Sequence, residues 1–165
     1  MENKILFDLL ASFYNSEKNV FLAIILIGIS SVIIGVAFYF LSANYKVFGI
    51  TLLVLGMIEA GIFTHQNLVQ KEKIEQKMIV VKTDAKTFLQ SEKVSLAKMA
   101  KVFFLIKLFY GSLIICCIVA ISFAGKPQIN GILMALILHL AFAITIDNFA
   151  EQYTLVYKTK LEALK

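Results

Sequence analysis

Arginine and tryptophan are absent from these 165 residues, proline occurs once, and charged residues make up only 16%. Without arginine there is no planar, bidentate cation, which excludes an arginine finger or a fork gripping a carboxylate. Without tryptophan, any aromatic belt at a membrane interface must come from the 6 Tyr and 14 Phe. All 16 basic residues are Lys. With the abundance of Ile, Asn and Phe, this suggests an AT-rich bacterial genome, a matter of composition bias rather than function. The two cysteines, Cys116 and Cys117, are adjacent. A vicinal pair closes no useful loop, so no disulfide framework exists, and the pair reads as small apolar residues at a helix interface.

What the chain has in excess is apolar side chain. Hydrophobic residues make up 59% and the mean hydropathy is +0.83, whereas a soluble domain is about 45–50% apolar. A chain this short has too little core volume to hide the surplus, which must face lipid or a large partner surface. Four runs are long enough to cross a hydrocarbon core of about 30 Å. They cover residues 20–41, 47–66, 102–124 and 129–149. The first is too long for a signal-peptide core and no small-residue cleavage site follows it, so it is expected to be retained. Short polar turns join spans one to two (residues 42–46) and three to four (Gly125–Lys126–Pro127–Gln128).

Lysine asymmetry sets the expected orientation. The two short turns carry one Lys each, Lys46 and Lys126, whereas the connection between spans two and three carries eight, from Lys71 to Lys101. The tails add Lys4 and Lys18 at one end and Lys158, Lys160 and Lys165 at the other. The positive-inside rule then places both termini and the long connection in the cytoplasm of a bacterial inner membrane.

The cytoplasmic parts read as helix. Neither Gly nor Pro occurs between Gly61 and Gly111, and Ile74, Met78, Val81, Ala85 and Phe88 recur at spacings of three and four, as do Leu96, Met99, Phe103, Ile106 and Tyr110. Residues 67–101 are therefore expected to form a helical hairpin, reversing between Lys82 and Ser91 with Ser91 as N-cap, and projecting about 15–20 Å from the membrane. Residues 150–165 continue span four with a stripe of Ala150, Tyr153, Tyr157, Leu161 and Leu164 that suits packing on that hairpin. Phe88, Met99 and Tyr157 are expected to be buried, and Lys73, Lys86 and Lys93 exposed. The N-terminal stretch sets Ile5, Leu6, Leu9, Leu10 and Phe13 against Glu2, Lys4, Asp8 and Ser12, the pattern of an interfacial amphipathic helix. The expected fold is all-α: one membrane domain built as a four-span bundle with a cytoplasmic helical stub.

Depth is the useful coordinate for chemistry. Counted from the outer ends of their spans, Glu59 lies 12 residues in and His139 11, close to the midplane; His65 lies 18 in and Asp147 19, near the cytoplasmic boundary. Lys107 enters span three from the cytoplasm and sits about 8 Å deep. These five could form two layers, Glu59–His139 and His65–Asp147, bridged by Lys107. Ionisable groups in hydrocarbon cost several kcal/mol unless paired or hydrated. One reading is an ion or proton path; the other is polar glue between helices, with Lys107 snorkelling and His65 and Asp147 reaching the headgroups. Gly28, Ser31 and Gly35 share one face of span one, and Gly49, Gly56 and Ala60 one face of span two. Such small residues let backbones approach, within one chain or across an oligomer contact.

The histidines differ in depth, so they cannot be the two axial ligands of one haem, and no span carries the His–carboxylate spacing of a bridged metal site. No metal, cofactor or nucleic-acid partner is expected, and no nucleotide loop or nucleophile elbow argues for an enzyme. The Lys-rich connection, interleaved with Glu72, Glu75, Asp84 and Glu92, suits a solvated face beside anionic lipid. Two functions follow as expectations. One is a subunit of an oligomeric channel or translocation assembly. The other is a non-conducting interaction protein, an immunity or accessory factor that binds another membrane protein.

Overall fold

The computed structural model describes residues 2–41 and 43–164, leaving aside the side chains of Glu2 and Asn3. The described residues form four α-helices and no strand: α1 (Glu2–Leu41), α2 (Lys46–Thr83), α3 (Ala85–Phe123) and α4 (Pro127–Glu162). All four are long and apolar enough to cross a membrane. At 36–40 residues each helix is about 55–60 Å long, roughly twice the thickness of a hydrocarbon core. The chain therefore builds two stacked regions.

In the apolar half, packing is sparse and the large side chains point outward. Ile33, Phe104, Leu108, Phe109 and Ile115 are all at least 60% exposed, the reverse of a water-soluble bundle and the arrangement that lipid solvates. Here α1 and α2 pair most closely. A Cβ on Gly35 would lie 2.6 Å from the Gly49 carbonyl oxygen, and one on Gly28 would lie 2.9 Å from that of Gly56. The glycines expected to promote close packing thus meet within the chain, with Ser31 against Gly56 and Ala60 against Gly28. α3 packs on α4 here and stays largely open to its surroundings, with Cys117 buried and Cys116 exposed, both free thiols.

The other half has a true core. Leu6, Leu10 and Phe13 of α1, Ile74 and Val81 of α2, Phe88 and Leu96 of α3, and Tyr157 and Leu161 of α4 form one buried cluster. The Phe13 and Tyr157 rings stack at 4.2 Å. The N-terminal segment is accordingly not a separate helix lying in the interface. It is the continuous first third of α1 and the fourth wall of this bundle. An apolar stripe serves a membrane surface and three partner helices equally well, and nothing between Glu2 and Gly28 breaks the helix.

The hairpin reverses at Asp84, within the expected window, but Asp84 and not Ser91 is the cap. Its side chain accepts a hydrogen bond from the Thr87 N–H at 3.0 Å. Ser91 lies inside α3, its hydroxyl donating to the Phe88 carbonyl oxygen. Phe88 and Tyr157 are buried as expected, and Lys73 and Lys86 exposed. Met99 departs from expectation: it is 39% exposed because α1 and α3 stand apart at that level and it faces the gap. Lys93 is half-buried. Of the second turn, Pro127 and Gln128 already belong to α4, with Pro127 in the first turn, where its missing N–H costs nothing.

Candidate functional site

The mid-depth pair meets directly. His139 Nε2 on α4 lies 3.4 Å from Glu59 Oε2 on α2, with side chains 16% and 12% exposed. The contact has ion-pair distance without hydrogen-bond alignment, and Glu59 Oε2 and His139 Nδ1 are buried with no hydrogen-bond partner among the described residues. Both helices are held there by the small-residue seam of α2 on one side and by the approach of α4 to α2, where Gly131 lies close to the Phe48 backbone. Glu59 and His139 are therefore inside one chain, each the other's neighbour, with polar valence to spare.

The second layer does not form. His65 is exposed on α2, and no hydrogen bond or ion pair joins it to Asp147 among the described residues. Depth alone does not fix direction. His65 follows Glu59 by six residues, about 600° of helix, and so faces about 120° away from it. Lys107 does not bridge the layers either. It donates to Asn148 Oδ1 at 3.0 Å and pairs with Glu151 on α4, which keeps its charge at the base of the apolar half.

Asp147 instead lines a cavity of about 410 Å³ among the four helices, walled by Val20, Phe21, Ile24, Phe63, Val102 and Phe103, with Glu17, Ser95 and Lys98 also on its lining. A second cavity of about 670 Å³ lies toward the two short turns, lined by Phe48, Asn130 and Met134 among others. Along α2 and α4 the acid–imidazole pair falls between the two: Phe48, Glu59, Phe63 on one helix and Met134, His139, Asp147 on the other.

Four polar residues in the core half were not anticipated as a group. Gln70 donates to Glu17 Oε2 at 2.8 Å. Lys77 donates to both oxygens of Glu92, at 2.7 and 3.0 Å, and Glu92 is buried. The signal lay in the spacing, for Glu92 sits between Phe88 and Leu96 at intervals of four, and Glu17 follows Phe13 by four. Both therefore fall on apolar stripes. Burial, and then the Glu92 carboxylate, push the Tyr157 hydroxyl up, so it stays protonated.

Burial likewise raises Glu17 above the usual glutamate range, against the lowering effect of the Gln70 hydrogen bond and of Lys77 and Lys73, and with Glu92 adding to the rise. A carboxyl whose folded-state pKa exceeds its unfolded value holds its proton better when folded. Its stabilising contribution is full below the unfolded pKa and is lost as pH rises through the folded one. Glu17→Gln, which keeps an acceptor for Gln70, should therefore raise the melting temperature by about 2 °C at neutral pH. The gain should vanish below the ordinary glutamate pKa. Thermal unfolding in detergent across that range checks it, and a gain that persists in acid would exclude this origin.

No family model matches the chain, and no match was found among characterised proteins or solved structures. No group of three or more His, Cys, Asp or Glu among the described residues could hold a metal ion.

Proposed function

We propose that the protein is a multi-pass subunit of an ion-translocating assembly in the bacterial cytoplasmic membrane, with both termini and the core half in the cytoplasm. The observation that carries this reading is the Glu59–His139 contact lying between two cavities toward opposite ends of the same helices. A carboxyl and an imidazole in contact place a proton donor and a proton acceptor side by side. Placed mid-membrane, they are suited to take a proton from one side and release it to the other. The lysine bias supports the orientation. The exposed lysines of the hairpin, Lys73 and Lys86 among them, suit anionic lipid at the cytoplasmic surface, and a further copy of the chain is the natural neighbour for the open flank of α3.

Purified protein reconstituted in liposomes with an internal pH-sensitive dye tests the reading. It should collapse an imposed pH gradient faster than protein-free liposomes do. One observation favours a second reading, a non-conducting partner of another membrane protein: in the apolar half α3 buries little of its surface. Liposomes as tight as the protein-free control would favour that alternative.

A further inference from the structure

The cavity of about 410 Å³ among the four helices falls within the range of about 300–1,000 Å³ typical of small-ligand sites, and its walls have a definite chemistry. Phe21, Phe63, Phe103 and Tyr153 present aromatic rings, with Val20, Ile24 and Val102 between them. Phe21 and Phe63 approach at 5.8 Å between centroids with tilted planes, so ring faces as well as edges are available at one wall. Two carboxylates line this mostly apolar space, Glu17 of α1 and Asp147 of α4. Glu17 holds Gln70. Asp147 is half-buried and has no hydrogen bond or ion pair among the described residues. Its nearby cation, Lys107, is already taken by Glu151 and Asn148. Among the described residues the one cation on the lining is Lys98, an exposed side chain free to reach water.

We propose that this cavity binds a lipophilic organic monocation, with the cationic centre at Asp147 and Glu17 and its apolar substituents against Phe21, Phe63 and Phe103. Charge complementarity selects this occupant. Two carboxylates against one exposed lysine leave the lining net negative, and aromatic faces add attraction for a cation that they do not offer an anion. A phospholipid chain would suit the apolar walls, but an anionic headgroup would meet both carboxylates. The position at the inner edge of the apolar half suits a ligand that partitions from the membrane interface. This cavity is one of the two that flank the Glu59–His139 contact, but binding is measured without flux, so its failure and that of the translocation reading are distinguishable.

The test is equilibrium binding of tetraphenylphosphonium to the full-length protein in nanodiscs of zwitterionic lipid, with empty nanodiscs subtracted. Tetraphenylborate, of the same shape and opposite charge, is the paired probe. Saturable binding of the cation and none of the anion is expected. Asp147→Asn should weaken the cation at least about tenfold, and Asp147→Glu should restore most of that loss. Lys98→Ala should leave affinity unchanged or improve it. Because the two probes are compared on unaltered protein, misfolding of a variant does not decide the outcome. Equal binding of both probes, binding no greater than to empty nanodiscs, or full affinity in a folded Asp147→Asn protein would overturn the proposal.

Discussion

Gly35→Leu should abolish recovery of folded protein, whereas Gly61→Leu should be tolerated. A Cβ at position 35 would meet the Gly49 carbonyl oxygen at 2.6 Å and the Leu53 nitrogen at 2.8 Å. Both are backbone atoms and neither can rotate away. Relief requires α1 and α2 to separate along the apolar half, with loss of the paired contacts at Gly28 and Gly56. Overpacking of flexible side chains costs about 1–3 kcal/mol, and a clash with two backbone atoms lies at or beyond the top of that range. In hydrocarbon no hydrophobic effect holds helices together, so close van der Waals packing carries more of the association. At Gly61 a Cβ meets nothing within 4 Å, and replacing glycine in a helix is intrinsically favourable by up to about 1 kcal/mol. Monodispersity on size exclusion compares the two directly. Equal behaviour would show that the seam does not hold the bundle. It would also reopen the idea that these glycines serve an oligomer contact.

The second large effect belongs to the core half. Leu161 is fully buried among residues of all four helices, so Leu161→Ala should cost about 2–5 kcal/mol, the range for a leucine removed from a packed core. Leu155, on the same helix but 45% exposed, should tolerate alanine with little change. Leu10→Ala, in the segment whose pattern also fits a membrane-surface helix, should behave like Leu161→Ala. Urea or thermal unfolding followed by circular dichroism reads all three. A Leu10→Ala protein as stable as the parent would mean that the N-terminal segment leaves the bundle.

These two regions show how far the sequence could be read. Apolar run length gave four helices, and their ends at the two short turns fall within a few residues of the runs, whereas the opposite ends extend well past them, to Glu2, Thr83, Ala85 and Glu162. Spacing gave the stripes at Ile74, Val81, Phe88, Tyr157 and Leu161. It could not say what covers the stripe at Leu6, Leu10 and Phe13, since the same amphipathic pattern serves water–lipid and helix–helix boundaries. The hairpin tip was legible to a window, but Asp84 and Ser91 are both good caps. Asp84 prevails by breaking the helix where Val81 and Phe88 can both enter the core.

The pairing of Glu59 with His139 followed from equal depth, and the failure of His65 with Asp147 shows what depth omits. Direction around the helix decides contact, and six residues from Glu59 turn His65 away. Glu151, the true partner of Lys107, lies beyond the apolar run that defined the span. It was overlooked because a long Lys side chain reaches past its own level. The cavity at Asp147 was not legible at all, for it depends on α1 and α3 standing apart.

The central claim is that the Glu59–His139 contact handles protons moving between the two cavities. Glu59→Gln keeps shape and hydrogen-bonding capacity but cannot release a proton. The direct measurement is dissipation of a pH gradient by Glu59→Gln and parent protein, reconstituted at equal density and matched by circular dichroism and size exclusion. The parent rate should exceed the protein-free control, and the Glu59→Gln rate should fall at least about tenfold toward that control. A folded Glu59→Gln protein that carries protons as fast as the parent would contradict the claim.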